Sequence, residues 1–325
     1  MRFVLDIRAV SYPTRTPFRI SRSSISAVHV IQVSIDDGHH IGRGECRPYP
    51  RYNQTPESVA AELGALRSVL EAGLIQDALA RLETCSAARN ALEAAWVDFQ
   101  AKTSGQSAAD ILRVSPAKPR QTAFTLSWGT VDEMTAAAKA AAEYPWLKIK
   151  IGDGGLTQVQ AVAKARPDAK LIIDANEALD EATLSTFLKG LNGLNIALIE
   201  QPLPAGHDNA LPETDLVICA DEGLHKQSDL KKLWAQGYRA VNVKLDKCGG
   251  PIAARDLMLE AKEMGFSIMA GCMVGSSLAM APILTLESLC DIIDLDGALL
   301  LREDIAEGLI YDGAIVHPPT PSLWG

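Results

Sequence analysis

The 325-residue chain lacks the features that define several common classes of protein. Its six cysteines form no C-x-x-C pair and its six histidines form no group with ligand spacing, which argues against a disulfide framework and a zinc site. The net charge of −9 argues against a nucleic-acid partner and a polybasic membrane patch. No uncharged apolar run reaches transmembrane length, and charges interrupt the N-terminal run MRFVLDIRAV, unlike a signal peptide. These absences predict a cytoplasmic protein with reduced thiols.

The composition is that of an ordinary globular protein, with 47% hydrophobic and 22% charged residues. The length allows one large or two average domains. Near the N-terminus, strand-like patterns cover Phe3–Val10, Val28–Ile35 and the neighbourhood of Gly42–Cys46. From about residue 56 to 103 the pattern is helical and rich in alanine. Strands followed by helices predict a small α+β domain.

Beyond a junction at residues 115–120, strand and helix patterns alternate. Amphipathic stretches separate eight short apolar runs, which read TAFTLSW, WLKIKIG, AKLIIDA, NIALIEQ, DLVICAD, AVNVKLD, FSIMAGC and DIIDLDG. This alternation predicts a parallel (β/α) barrel; the alternative is a doubly wound open sheet, but no G-x-G-x-x-G motif follows the first strand. We expect a capping domain at residues 1–115 and a barrel at 116–305, with the tail from about 306 to 325 returning to the capping domain.

Charged residues recur at the ends of successive predicted strands. Five of them follow one another at intervals of 21 to 26 residues: Lys150, Asp174, Glu200, Asp221 and Lys244. A lone acid after a strand is usually a turn residue or a helix N-cap, and we assign Asp180 that role. Capping does not explain why such residues recur once per βα unit. The recurrence places their side chains at one level of the barrel. That level is the C-terminal end of the strands, where barrel enzymes have their active sites.

Three of these residues, Asp174, Glu200 and Asp221, are carboxylates. An all-oxygen set without His or Cys favours Mg²⁺, or Mn²⁺, over zinc. The two lysines follow the second and sixth strands, so they would face each other with the metal between them. The dication and the opposite ammonium would lower the pKa of each lysine and provide a neutral base. Lys148 shares a strand face with Lys150, and we expect both to point into the barrel rather than to lie on an exposed edge.

The chain resembles the enolase superfamily, in its muconate-lactonising subgroup, over nearly its whole length. The motifs that carry the resemblance are K-I-K at 148–150, D-A-N at 174–176, E-Q-P at 200–202, A-D-E at 220–222 and K-x-x-K-x-G-G at 244–250. Within the subgroup it is similar to the dipeptide epimerases, typified by those acting on L-Ala-D/L-Glu, through P-Y-P-R-Y at 48–52, G-C-M at 271–273 and D-L-D at 294–296. The resemblance implies a modified (β/α)7β TIM-type barrel with an N-terminal α+β capping domain.

The resemblance also implies a chemical role for each residue of the recurring set. The three carboxylates would hold Mg²⁺, and Lys150 and Lys244 would be acid/base catalysts on opposite faces of the substrate α-carbon. Together they would epimerise a dipeptide by 1,1-proton transfer through an enediolate, with Lys148 beside the substrate carboxylate.

Further residues are expected around this centre by the same resemblance. Asp294 and Asp296 would hold the substrate α-ammonium group, and Cys272 and Met273 would line the substrate site. Asn176 and Glu222 would support the site from outside, and Glu222 is expected to pair with a lysine.

The specificity for the second residue of the dipeptide is expected to depend on the N-terminal loop Thr16–Ile25, which would cap the barrel. Glutamate-specific relatives carry an arginine where this chain has Ile25, and Arg22 is the candidate that would replace it in binding the side-chain carboxylate. An apolar second residue is the alternative that Ile25 favours.

The same set of motifs is compatible with several related activities. They are those of an N-acylamino acid racemase, an o-succinylbenzoate synthase and a cycloisomerase. A non-enzymatic barrel is disfavoured, because the set of charged residues is intact. The expected partner is a small dipeptide, as in murein peptide metabolism, and the sequence leaves open whether the chain forms a homo-oligomer.

Overall fold

The computed structural model describes residues 2–152, 154–207 and 211–325. The N-terminal part begins with a three-stranded antiparallel sheet of β1 (Val4–Ile20), β2 (Ser23–Asp36) and β3 (Ile41–Cys46), paired in that order. These strands contain the three predicted near the N-terminus, and β1 and β2 extend well beyond the predicted bounds.

The segment Thr16–Ile25, expected as a loop, is the tip of the β1–β2 hairpin. Phe18 pairs with Ile25, and Arg19 pairs with Ser24. Apolar residues alternate with polar ones here, which is the pattern of a strand with one covered face. The backbone N–H of Trp128 donates to the Arg19 carbonyl over 3.0 Å, so the tip is attached to the barrel. The segment expected as a loop is therefore a paired hairpin tip.

Helices follow the sheet, as the alanine-rich pattern predicts. They are α1 (Pro56–Gly64), α2 (Arg67–Glu71), α3 (Ile75–Ala80), α4 (Ser86–Ser104) and α5 (Ala108–Leu112). Helix α4 lies directly against β3. A Cβ atom on Gly42 would come within 2.1 Å of the Ala95 carbonyl oxygen, and one on Gly44 within 2.1 Å of the Ala91 carbonyl oxygen. Glycine at these two positions allows the close contact, which builds the core of the capping part.

Eight parallel strands form the barrel sheet, preceded by the short strand β4 (Arg120–Gln121). They are β5 (Phe124–Leu126), β6 (Trp146–Lys150), β7 (Lys170–Asp174), β8 (Ile196–Glu200), β9 (Ile218–Ala220), β10 (Ala240–Val243), β11 (Ser267–Gly271) and β12 (Ile292–Asp294). Each neighbouring pair is parallel, and each of the eight predicted apolar runs contains one of these strands. The predicted fold class is confirmed.

Helices pack outside the strands. They are α6 (Val131–Ala140), α7 (Leu156–Ala165), α8 (Glu181–Gly190), α9 (Leu230–Gln236), α10 (Leu245–Cys248), α11 (Pro251–Glu263) and α12 (Ser277–Leu284). Asp180 is the N-cap of α8 and accepts from the Thr183 N–H over 2.8 Å, as predicted. Within the three described ranges, no helix has both the length and the apolar character that a membrane crossing requires.

One connection of the barrel departs from the alternating pattern. Between β8 and β9, the described residues 201–207 and 211–217 contain no helix. Pro202, Pro204 and Gly206 lie close together here, and proline and glycine both disfavour helix formation.

The inside of the barrel is built in layers, because alternate residues of a strand point to the same face. One apolar layer contains Ile172, Leu198, Cys219, Ala240 and Met269, all of them buried. The strand positions two residues further on carry polar side chains on β7, β8 and β10. The apolar layer is therefore the floor on which the polar groups lie.

The first and last barrel strands meet through hydrogen bonds, since Ala123 N–H donates to Ile293 O over 2.9 Å. Two short strands follow: β14 (Ile315–Val316) pairs with β4 on one side and with β13 (Tyr311–Asp312) on the other. The chain then continues to α4, where the buried indole of Trp324 donates to the Ala94 carbonyl over 3.2 Å. The domain bounds expected from the sequence stay a prediction.

Candidate active site

The strands bring five of the predicted site residues together. Lys150 pairs with Asp174 across β6 and β7, and Asp174 pairs with Glu200 across β7 and β8. Asp221 directly follows β9, and Lys244 directly follows β10. We call these residues, together with Lys148, the barrel-mouth cluster: Lys148, Lys150, Asp174, Glu200, Asp221 and Lys244. All six are buried.

Lys148 is at the centre of the cluster and contacts three carboxylates. Its Nζ lies 3.2 Å from Asp174 Oδ2, 2.7 Å from Glu200 Oε2 and 2.7 Å from Asp294 Oδ2. Its side chain is only 3% exposed, so the contacts are made without water. Charges buried to this degree are tolerated when they are paired.

The two predicted acid/base lysines approach the cluster from opposite sides. Lys150 bonds to Asp174, and Lys244 Nζ lies 2.6 Å from Asp221 Oδ2 and 3.8 Å from Glu200 Oε1. Strands β6 and β10 are four positions apart in an eight-stranded order, which places them across the barrel. Two amino groups therefore face one central region with carboxylates between them.

The electrostatics of the cluster follow from burial and from these contacts. Burial opposes the ionisation of Asp174, but Lys150 and Lys148 outweigh it and hold the pKa of this carboxyl below its ordinary value. Burial and the negative charge of Asp174 raise the pKa of Glu200 to about 8. At Lys244, burial favours the neutral amine, but Asp221 and Glu200 outweigh it and raise the pKa. The lowering of the lysine pKa that a bound dication would cause stays a prediction.

Two further buried residues bind the cluster and received no role from the sequence, although Lys247 belongs to the motif K-x-x-K-x-G-G. Lys247 donates to Asp221 Oδ1 over 2.6 Å and to Asn242 O over 3.1 Å. The amide of Asn242 donates to Glu200 Oε1 over 2.6 Å. Asn242 precedes Lys244 by two strand positions and Lys247 follows it by one helical turn, so both could have been found from periodicity.

The chemistry of the carboxylates fits a hard divalent cation. Asp174, Glu200 and Asp221 supply only oxygen donors, and they come from three adjacent strands at one level. In the described part of the chain, no three His, Cys, Asp or Glu side chains are arranged as a metal-binding group, and lysine ammonium groups contact the carboxylate oxygens. The donor set therefore matches Mg²⁺ or Mn²⁺.

Glu222 and Asn176 lie next to the cluster, and the partner of Glu222 differs from the expected one. Its Oε1 lies 2.8 Å from Arg22 Nη2 and 3.3 Å from Asn176 Nδ2. The expected ion pair with a lysine is thus replaced by one with an arginine, which the hairpin tip brings over the barrel. The Asn176 N–H also donates to Asp174 Oδ1 over 3.0 Å.

Arg22, the candidate for binding a substrate carboxylate, is occupied by protein groups. Besides Glu222, its guanidinium donates to Asn176 O over 2.6 Å and to Glu177 Oε2 over 2.7 Å. Arg51 binds the same Glu177 through two hydrogen bonds of 2.8 and 3.0 Å. We call Arg22, Arg51 and Glu177 the hairpin clasp, because they fasten the hairpin tip and residues 50–52 to the barrel.

Asp294 and Asp296 are both buried, but they have different surroundings. Asp294 bonds to Lys148, while Asp296 Oδ2 accepts from the Thr125 N–H over 2.6 Å. Burial and the charge of Asp294 raise the pKa of Asp296 to about 7. The structure joins Asp294 to the cluster and ties Asp296 to the first barrel strand.

A cavity of about 660 Å³ lies between the capping part and the barrel mouth. Its walls include the predicted site residues Arg22, Lys150, Asn176, Asp221, Glu222, Lys244, Cys272 and Met273. The capping part contributes apolar and aromatic side chains, among them Phe18, Ile25 and Tyr52. A volume of this size accommodates a small molecule, and both acid/base lysines are accessible from it.

Family comparisons agree with this arrangement. Residues 4–113 match the model of the mandelate racemase / muconate lactonizing enzyme N-terminal domain, and residues 131–318 match that of the enolase C-terminal domain-like family. The chain therefore belongs to the enolase superfamily.

Named relatives cover nearly the whole chain. It is 38% identical to the L-Ala-D/L-Glu epimerase of Escherichia coli (strain K12), over 94% of this chain and 97% of the relative. It is also 38% identical to an N-acetyl-D-glutamate racemase of a Pseudoalteromonas species, over 91% and 95% of the two chains. Both relatives are isomerases by name.

Solved structures give the same family. An enolase family member from Agrobacterium tumefaciens with homology to dipeptide epimerases, described with bound sodium and L-Ala-L-Glu, is 42% identical, with a TM-score of 0.96 and full coverage of both chains. A dipeptide epimerase from Methylococcus capsulatus, complexed with Mg and L-Arg-D-Lys, is 28% identical, with a TM-score of 0.90 and coverage of 100% and 99%.

Proposed function

We propose that this protein is a dipeptide epimerase that inverts the α-carbon of the second residue in dipeptides of the L-Ala-D/L-Glu type. One observation carries the proposal: two buried lysines reach the same cavity from strands on opposite sides of the barrel, with three carboxylates between them. A single base suffices for elimination, whereas inversion of a carbon centre needs a proton donor opposite the base. The named epimerases and racemases among the relatives support this choice.

The reaction removes a weakly acidic proton next to a carboxylate. One lysine takes the proton, and the other returns a proton to the opposite face. By the family resemblance, Lys150 would serve the L-configured centre and Lys244 the D-configured one. The ammonium of Lys148 offsets the negative charge that develops on the substrate oxygens of the enediolate. A bound Mg²⁺ ion, or Mn²⁺, held by Asp174, Glu200 and Asp221, would supply further positive charge there.

Incubation of dipeptides in ²H₂O tests the proposal directly. The purified protein with Mg²⁺ should introduce one deuterium into L-Ala-L-Glu and form L-Ala-D-Glu, as read by mass spectrometry and chiral separation. Exhaustive chelation, verified by metal analysis, should abolish the exchange, and Mg²⁺ or Mn²⁺ should restore it. Full turnover by the metal-free protein would contradict the assigned metal site, and absence of exchange with every dipeptide of a library would contradict the epimerase proposal.

A second candidate function is the racemisation of N-acylated glutamate, which the similarity to a named N-acetyl-D-glutamate racemase favours. The two functions differ in whether the substrate has a free ammonium group. The buried carboxylate of Asp296 favours the dipeptide, because Lys148 pairs with Asp294 whereas, among the described residues, no Lys or Arg nitrogen forms an ion pair with Asp296, and a buried charge without an ionic partner is costly. We expect a higher kcat/KM for L-Ala-L-Glu than for N-acetyl-L-Glu or N-acetyl-L-Ala-L-Glu, and the reverse order would favour the racemase.

A further inference from the structure

Arg47 occupies a fixed position on the wall of the cavity. It follows β3 directly, and its backbone N–H donates to Asp246 Oδ1 over 3.2 Å. Asp246 lies two residues beyond Lys244, so Arg47 is anchored next to one of the acid/base lysines. Its guanidinium lies 5.7 Å from the centre of the Tyr49 ring, and Arg47 is half-buried. The capping part therefore brings a cation to the barrel mouth on an ordered segment.

The other arginines and lysines of the cavity wall all have protein partners. Arg22 and Arg51 bind Glu177, Lys150 binds Asp174, and Lys244 binds Asp221. For Arg47, within residues 2–152, 154–207 and 211–325, no carboxylate oxygen lies within 4 Å of the guanidinium and no acceptor bonds to it. Arg47 is thus the cation of this wall that has hydrogen-bonding capacity left for a ligand.

An arginine in this environment is unfavourable for the protein by itself. Burial lowers the pKa of Arg47, and the interactions with Tyr49 and Asp246 oppose the shift without reversing it. A partly desolvated cation without an anion costs free energy, and groups of this kind are frequent at binding sites. A carboxylate ligand would remove that cost and bind the guanidinium through two parallel hydrogen bonds.

We infer that Arg47 binds the side-chain carboxylate of the second residue of the substrate, and that the protein therefore prefers an acidic residue there. The inference rests on the proposed dipeptide epimerase function and specifies its substrate. Ile25 and Val274 line the same cavity and offer only apolar surface, while the guanidinium of Arg22 is already bound by two carboxylates. Recognition of the acidic side chain is thus assigned to the segment after β3 rather than to the hairpin tip.

The test compares L-Ala-L-Glu with the neutral, nearly isosteric L-Ala-L-Gln in the wild type and in Arg47→Met. Loss of a hydrogen-bonded charge pair should lower the ratio of kcat/KM for the two substrates by roughly 10- to 150-fold. The change should lie mainly in KM and in the Kd of L-Ala-L-Glu measured by calorimetric titration. Arg47→Lys keeps the charge but not the forked geometry, and it should recover part of the ratio.

Two matched variants separate Arg47 from its neighbours. Arg22→Met and Arg51→Met remove arginines of the same wall that have protein partners, so they should change both substrates by similar factors. The Tm of Arg47→Met should stay close to that of the wild type, because only the contact with the Tyr49 ring and no hydrogen bond or ion pair of the guanidinium is lost; a clearly lower Tm would point to a structural role instead. An unchanged substrate ratio in Arg47→Met, or the large change in Arg22→Met, would overturn the inference. Equal wild-type activity on L-Ala-L-Leu and L-Ala-L-Glu would also overturn the inference about Arg47 but would leave the epimerase function intact. No exchange with any dipeptide would contradict both the inference and the proposed epimerase function.

Discussion

The barrel-mouth cluster and the hairpin clasp are both built from arginines or lysines paired with carboxylates, yet they differ in how they are held. The lysines of the cluster lie on strands or directly after them, and their side chains are at most 9% exposed. In the clasp, the side chains of Arg22 and Arg51 are 31% and 40% exposed, and they belong to a hairpin tip and a short turn. The cluster is fixed by strand register, whereas the clasp depends on how two parts of the chain meet.

This difference determines what each region can do. A buried charge that loses its partner has no water to replace it, so the cluster responds strongly to any substitution. An exposed ion pair is screened by water and salt and contributes little to stability. A buried, sensitive arrangement suits a cluster that positions reacting groups. A weak, solvent-screened contact suits the cover of a substrate cavity.

The largest expected effect is at the two acid/base lysines. Lys150→Ala and Lys244→Ala should each lower the epimerisation rate by roughly 10⁴-fold or more, since both proton transfer and charge stabilisation are affected. Lys150→Ala should retain deuterium exchange only from the D-configured substrate, and Lys244→Ala only from the L-configured one. Exchange followed separately from each epimer in ²H₂O checks this prediction.

Lys247→Met provides the control for that experiment, since Lys247 is equally buried and contacts Asp221 without reaching the cavity wall. It should lower exchange from both epimers by the same factor. One-sided exchange in Lys247→Met, or normal epimerisation by both alanine variants, would contradict the two-base assignment.

Strand periodicity explains why the cluster could be predicted and the clasp could not. The intervals between Lys150, Asp174, Glu200 and Asp221 repeat with the βα unit, so their common level follows from the sequence alone. Asn242 and Lys247 carried the same periodic signal and were overlooked, because neither lies at the end of an apolar run.

Tertiary contacts decided the remaining differences. The partner of Glu222 is Arg22, about 200 residues earlier in the chain, and no local pattern encodes a contact of that range. The hairpin at Thr16–Ile25 was interpreted as a loop because four consecutive polar residues, Ser21–Ser24, separate the short alternating stretch at Phe18–Ile20 from Ile25. The unpaired state of Arg47 is likewise a property of the folded cavity.

Asp246, which joins the segment after β10 to the capping part, should give the stability of the protein a measurable pH dependence. Burial raises the pKa of Asp246 from 3.8 to about 7, although the Asn90 amide and the Arg47 N–H stabilise its charged form. Between pH 4 and 7 the folded state therefore binds more protons at this residue than the unfolded state, so its contribution to stability falls as pH rises through that window. In the wild type, Asp246 should lower the free energy of unfolding by about 2 kcal/mol between about pH 5 and 7. Asp246→Asn should abolish this part of the pH dependence.

Urea unfolding of the wild type and of Asp246→Asn at both pH values measures this effect. The amide keeps the oxygen that accepts from Asn90 and Arg47, and the pH dependence of Glu200 and Asp296 is common to both proteins and cancels. Parallel pH profiles for the two proteins would show that Asp246 is ionised in the folded state.

The smallest expected effect is at Arg51 of the clasp. Arg51→Met removes a doubly hydrogen-bonded pair, but Glu177 keeps Arg22 and the Ala205 N–H as partners, so no buried charge is left alone. The side chain of Arg51 is 40% exposed, and pairs of this kind contribute about 0.2–1 kcal/mol. We expect an increase in KM of about 2- to 5-fold with kcat nearly unchanged, because the clasp holds the cover of the cavity and not the reacting groups.

In wild type, raising the salt concentration should likewise increase KM, and in Arg51→Met this salt dependence should be weaker. A loss of kcat by more than tenfold would mean that the clasp positions the cluster after all, and the separation between the two regions would not hold.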